Sequence, residues 1–170
     1  MRISIVAIAI FATTPIVEAA ECAKVSSFQY VRIDATREDS PIRDSFSIDT
    51  RKSLLWRSDD GEALQFCAKN SAYICFSGYS LSFAVPKGAL TLDREWEVEG
   101  KKYRVKSVRT IEVLGFKSDT FVIESQKGSG QIQYFYSRAH GVIAMQFREG
   151  SDNEAILVAS RTACGFGAAE

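Results

Sequence analysis

Four cysteines constrain this chain more than any other feature: Cys22, Cys67, Cys75 and Cys164 all follow a segment that looks like an export leader. Met1-Arg2 precedes an apolar run from Ile3 to Ala12, a break at Thr13-Thr14-Pro15, and then Val17-Glu18-Ala19-Ala20. A basic start, an apolar middle and a small-residue end make a secretory signal peptide. An even number of cysteines behind such a leader predicts disulfides in an oxidising compartment. The expected location is secreted or periplasmic. The leader style and the lack of any N-x-[ST] acceptor point to a bacterial source.

The apolar run is about ten residues, against about twenty needed to cross a bilayer, so no membrane span is expected. Val17 and Ala19 supply the small residues read by a signal peptidase, which places cleavage after Ala19. Cleavage after Ala20 would put Glu18 at one of those positions. Residues 1–19 are thus read as signal peptide and 20–170 as a single β domain. Glu21 stands directly before Cys22 where a lipid-attachment motif needs a small residue, which leaves Cys22 for a disulfide.

Hairpin geometry nominates one pairing. If 64–68 and 72–76 form a hairpin centred on Ser71, Cys67 and Cys75 face each other, about 4.5–5.5 Å apart at Cα, a span that a disulfide bridges. Cys22 and Cys164 then pair and tie the two ends together. Four cysteines allow three connectivities, and this is the favoured one. Residues 60–69 also carry an N-cap candidate and helix formers, so a short helix competes for the first arm of that hairpin. No C-x-x-C redox motif is present.

The rest reads as short strands and turns. Tyr30–Ile33, Phe46–Asp49 and Ser53–Arg57 are strand candidates, as is Tyr79–Val85, which alternates apolar and small residues. Trp96–Val98 and Tyr103–Val105 flank Glu99-Gly100-Lys101, a hairpin signal. Ile111–Gly115, Thr120–Ser125, Gln131–Ser137, Val142–Phe147 and Ala155–Ala159 follow, and Val142–Phe147 is apolar on both faces. The expected fold class is all-β: an antiparallel curved sheet closing toward a barrel, half-barrel or sandwich, with at most one short helix.

Charge excludes one class of function. The 170 residues hold 21 basic and 21 acidic side chains, and cleavage after Ala19 removes one of each. A neutral chain lacks the basic excess of a nucleic-acid binder. The run from Lys101 to Lys106 reads as a solvated strand face. His140, the one histidine, lies between two strands near Ser137, and a hydrolase using it is the weakest functional reading. Without a nucleophile motif no catalytic residue is assigned. With the cysteines oxidised, one histidine cannot build a zinc site. Asp59-Asp60-Gly61-Glu62 and Ser151-Asp152-Asn153-Glu154 fit turns better than calcium loops. No metal or cofactor is therefore expected.

Aromatic side chains are the remaining candidates. Phe121, Tyr134, Tyr136 and Phe147, with Phe116 and Phe135, fall on neighbouring strands and either fill a core or line an apolar ligand cavity. Phe121–Ser125 followed by Tyr134–Ile143 resembles a segment of exported bacterial β-rich proteins of unknown function. Some of those are similar to the curved half-barrel of periplasmic lipoprotein carriers. The resemblance spans residues 110–147 and implies a curved sheet with an apolar concave face. The leading expectation is a non-enzymatic binding module for an apolar ligand or a lipid-modified partner. The alternative is an interaction module for another exported protein, with the 36–44 loop as the expected contact.

Overall fold

The computed structural model describes residues 21–22, 24–33, 45–57, 60–113, 115–127, 130–149, 153–160 and 164–168. The signal-peptide segment and the 36–44 loop lie outside them. Among the described residues there are thirteen strands: β1 (Ser27–Arg32), β2 (Phe46–Asp49), β3 (Leu54–Arg57), β4 (Asp60–Ala63), β5 (Gln65–Phe66), β6 (Tyr73–Ser77), β7 (Ser82–Pro86), β8 (Glu95–Val98), β9 (Lys101–Val113), β10 (Phe116–Lys127), β11 (Gly130–Ser137), β12 (Gly141–Glu149) and β13 (Asn153–Ala159). Ten form one sheet in the order β4-β3-β2-β1-β13-β12-β11-β10-β9-β8, and β5-β6-β7 form a second. Every pairing is antiparallel. The large sheet does not close on itself, because β4 and β8 are its edges.

Strand alternation sorts the side chains into rows. One row runs Val105, Ile123, Tyr134, Met145 and Leu157 across five strands, all buried. The next row, on the opposite face, runs Ser107, Val122, Phe135, Ala144, Val158 and Val31. Val122, Ala144 and Val158 are buried there too. The two-sided apolar character of Val142–Phe147 therefore reflects a strand at the middle of the sheet.

The sheet is strongly curved. Between β4 and β9 lie eight inter-strand steps, about 38 Å if the sheet were flat. Yet Glu62 on β4 and Lys101 at the start of β9 bond to Ser80 and Ser82, two residues apart. Only a sheet rolled nearly into a trough brings edge strand β4 and β9, the strand next to the other edge, to one short turn.

The small sheet fills that trough. Phe83 on β7 is fully buried, with ring centroids 4.9 Å from Tyr134 and 5.8 Å from Tyr136. The Trp96 indole N–H donates to the Ala84 carbonyl at 3.1 Å, and the Tyr134 hydroxyl to the Ser82 carbonyl at 2.5 Å. Buried polar tips thus find backbone partners, as burial demands.

Both disulfides join the expected cysteines, Cys22–Cys164 and Cys67–Cys75. The second has a Cα separation of 5.2 Å, and the pairing of Phe66 with Phe76 centres its hairpin on Ser71. The competing helix over 60–69 is replaced by β4 and β5. In the chain-entropy model the longer loop closed by Cys22–Cys164 is worth about 5 kcal/mol and the shorter about 2.5 kcal/mol. Beyond Cys164 the chain crosses β12 at backbone contact, with Gly165 N–H on the His140 carbonyl at 2.6 Å and Val142 N–H on the Phe166 carbonyl at 2.9 Å. A side chain at Gly165 would collide with the Val142 carbonyl. This crossing seats Phe166 in the core, 5.0 Å from Phe76 and edge-on to it.

Candidate functional site

The connection Gly78–Leu81 between β6 and β7 is where β4 and the start of β9 come together, and its neighbours hold it from several sides. Gly78 N–H donates to the Leu81 carbonyl at 2.9 Å, closing the turn. The Ser82 hydroxyl donates back to the Gly78 carbonyl at 3.2 Å. From β4, the Glu62 carboxylate accepts from the Ser80 N–H at 2.9 Å and from the Ser80 hydroxyl. From β9, the Lys101 ammonium donates to the Ser82 hydroxyl. Beneath, Leu81 is buried. Gly78 sits so tightly that an added Cβ would meet the Glu62 carboxylate and a Leu64 methyl.

Tyr79 stands at the tip of this braced turn with 92% of its surface exposed. No other large apolar side chain among the described residues is as open; Leu92, Val108, Ile33 and Trp56 range from 58% down to 39%. Alternation placed Tyr79 at the start of a strand, but β7 begins at Ser82 and Tyr79 belongs to the turn. The flanking Gly78 and Ser80 were the available signal, since both are turn formers.

The aromatic candidates sit around the filled trough. Tyr134 and Tyr136 are fully buried, and Phe121 and Phe147 pack half-buried against the same core. Phe116's side chain lies outside the described residues. The Tyr136 hydroxyl donates to the Gly167 carbonyl at 3.1 Å. Burial lifts the Tyr134 hydroxyl well above the usual phenol range, with Tyr103 adding to it. Burial likewise raises Tyr30, against the opposing pull of its bond from the Phe166 N–H. These are neutral, packed hydroxyls.

His140 is buried at the β11–β12 turn, with Nδ1 3.9 Å from the Cys22 sulfur. Its ring is placed against the terminal disulfide. Of the four bases from Lys101 to Lys106, Arg104 pairs with Asp93 and Glu95, and Lys106 with Glu124 at 2.8 Å. Among the described residues no three of His, Cys, Asp and Glu cluster as metal ligands. Asp59 and residues 151–152 of the two acidic turns lie outside the description, and Glu62 of the first serves the brace. Among the described residues no helix is long and apolar enough to cross a membrane. Two disulfides fit an oxidising, extracellular-type environment. No protein-family model, no curated protein and no solved structure matches the chain.

Proposed function

We propose that this chain is an exported, non-enzymatic β domain that binds another exported protein through the Tyr79 turn. The observation that carries the reading is an aromatic with 92% of its surface exposed, on a turn braced by edge strand β4 and by β9, the strand next to the other edge. Exposed tyrosine is a frequent anchor at protein interfaces, because it offers area and one hydroxyl at low entropic cost. A turn already fixed by Glu62, Lys101 and Ser82 loses little freedom on binding, which raises affinity.

A photo-reactive phenylalanine analogue placed at position 79 tests this in the native compartment. A discrete cross-linked partner is expected from position 79 and none from exposed Glu97 on β8. Purified with that partner, Tyr79→Ala should weaken binding at least tenfold, the loss typical of an interface anchor. Equal labelling from both positions would sink the proposal.

The apolar-ligand reading draws support from the curved sheet with its apolar inner face. It requires the small sheet to leave the trough, against the Phe83 ring contacts and the Tyr134 and Trp96 bonds. A fluorescent fatty acid that binds the folded protein with micromolar affinity would favour it over the Tyr79 turn.

A further inference from the structure

Among the described residues the large sheet leaves a long stretch of strand edge unpaired. β8 covers β9 only from Lys101 to Arg104, and Val105 is met by the loop before β8, through Arg94 O at 3.0 Å and Asp93 N at 2.9 Å. From Lys106 to Val113 no strand among the described residues pairs with the outer side of β9. Val108 is 55% exposed, and Lys106, Arg109, Thr110 and Glu112 are exposed as well.

The direction of the free backbone groups follows from the hydrogen bonds. A bulge at Lys106 inserts an extra residue between the Ile123–Val105 and Val122–Ser107 pairs. Beyond it, the Thr120 hydroxyl donates to the Arg109 carbonyl at 2.9 Å, so that carbonyl faces β10. Backbone groups of successive residues in an antiparallel pair point to alternate sides. The N–H and C=O of Val108, Thr110 and Glu112 therefore point outward. Three consecutive outward donor–acceptor pairs form a template that an extended strand matches group for group.

No two-fold pairing of two copies along this edge sets an acid opposite Arg109: centred on Val108, Arg109, Thr110 or Ile111, it brings Arg109 to Ser107, Arg109, Ile111 or Val113. A two-fold centred on Arg109 sets two arginines directly opposite each other, and like charges so placed destabilise. A two-fold centred on Thr110 sets Val108 opposite Glu112. Within the sheet Glu112 already pairs with Lys117 at 3.5 Å, and Lys106 with Glu124. We infer that the β9 edge from Val108 to Glu112 receives an extended segment of a different protein, with an acidic side chain opposite Arg109 and a β-branched one near Val108. This is strand addition, separate from the Tyr79 contact.

The probe is a capped heptapeptide of alternating threonine and valine with aspartate at its centre. Amide hydrogen exchange read by NMR on the intact disulfide-bonded protein should slow at least tenfold at Val108, Thr110 and Glu112 in saturating peptide. Ser107, Arg109 and Ile111, which bond inward, should not change. Thr110→Pro removes one outward donor without touching the ladder, since proline is tolerated on an edge. It should abolish the protection while leaving exchange at Ile123 as in the parent. A peptide with lysine at its centre should bind at least fivefold more weakly. Tyr79→Ala should retain the full effect. Absence of protection in excess aspartate peptide, or unchanged binding by Thr110→Pro, overturns the inference. Protection that grows with protein concentration alone assigns the edge to a second copy and overturns it too.

Discussion

Two hairpins of this molecule end in exposed residues, and they are built in opposite ways. The β6–β7 turn carries Tyr79 on a frame braced by Glu62, Lys101 and Ser82, with Leu81 and Phe83 buried beneath it. The outer part of the β9–β10 hairpin has cross-strand pairs of its own, Thr110 with Asp119 at 2.5 Å and Lys117 with Glu112 at 3.5 Å. On the outer side of β9, however, it leaves backbone groups unmatched by any strand among the described residues. The first presents a side chain and hides its backbone; the second presents backbone. As proposed, recognition at the first rests on one aromatic, and at the second on hydrogen-bond register together with a charge opposite Arg109.

The largest expected effect comes from undercutting the braced turn. Phe83 is fully buried among Phe76, Tyr134, Tyr136 and Phe166. Truncation in such a site leaves a cavity, and Phe83→Ala should destabilise by about 3–5 kcal/mol. Val108→Ala on the ribbon should change stability by less than about 0.5 kcal/mol, as surface changes do. Chemical denaturation with disulfides intact measures both. A Phe83→Ala cost under about 1 kcal/mol would mean that the small sheet hardly packs the trough, and would restore the case for an apolar ligand there.

A subtler change loosens the brace. Gly78→Ala drives a methyl into the Glu62 carboxylate and Leu64, side-chain ends that can give way, and brings it close to the Leu81 carbonyl that closes the turn. Moving Glu62 off Ser80 loses charge-assisted bonds worth about 1 kcal/mol. Faster amide exchange is expected at Ser80, whose N–H Glu62 accepts, with none at the ribbon's Thr110. If Ser80 exchanges as slowly as in the parent, Glu62 is not what holds the turn.

Much of this arrangement was legible in the residues where the signal is local. The Cys67/Cys75 spacing around Ser71 gave the hairpin and its register, and Glu99-Gly100 gave a turn whose residues both adopt positive φ, 51° and 73°. The all-β class came from alternation, and the two-sided burial of Val142–Phe147 from its apolar character on both faces. The brace was not legible, because Glu62 and Ser80 lie 18 residues apart and meet only once the sheet has curled. Nor was the strand through Lys106–Thr110, where the Lys106 bulge breaks the period of two and divides β9 into two apparent segments. The filling of the trough by β5–β7 is a tertiary event to which no local pattern points. For the same reason Phe121, Tyr134, Tyr136 and Phe147 read equally well as core or as cavity lining.

The smallest effect lies at the root of the ribbon and carries a pH signature. Burial pushes the Glu124 carboxyl upward, but hydrogen bonds from Lys106 and Gln133 and the nearby Arg104 charge outweigh it and leave the group below the usual carboxylate range. A carboxyl held low when folded favours the fold above its unfolded value of about 4.3 and loses that contribution as pH falls through its folded value. Lys106 is half exposed, so solvent screening limits the pair to about 0.5 kcal/mol. Glu124→Gln should therefore be slightly less stable than the parent at neutral pH, and the gap should close as the buffer is taken well below the ordinary carboxylate value. Paired denaturation curves across that range read it out. A gap that stays constant with pH would show that Glu124 acts through shape and hydrogen bonding rather than charge. The ribbon would then be anchored at its root by shape and hydrogen bonding, much as the braced turn is anchored beneath by the packing of Leu81 and Phe83.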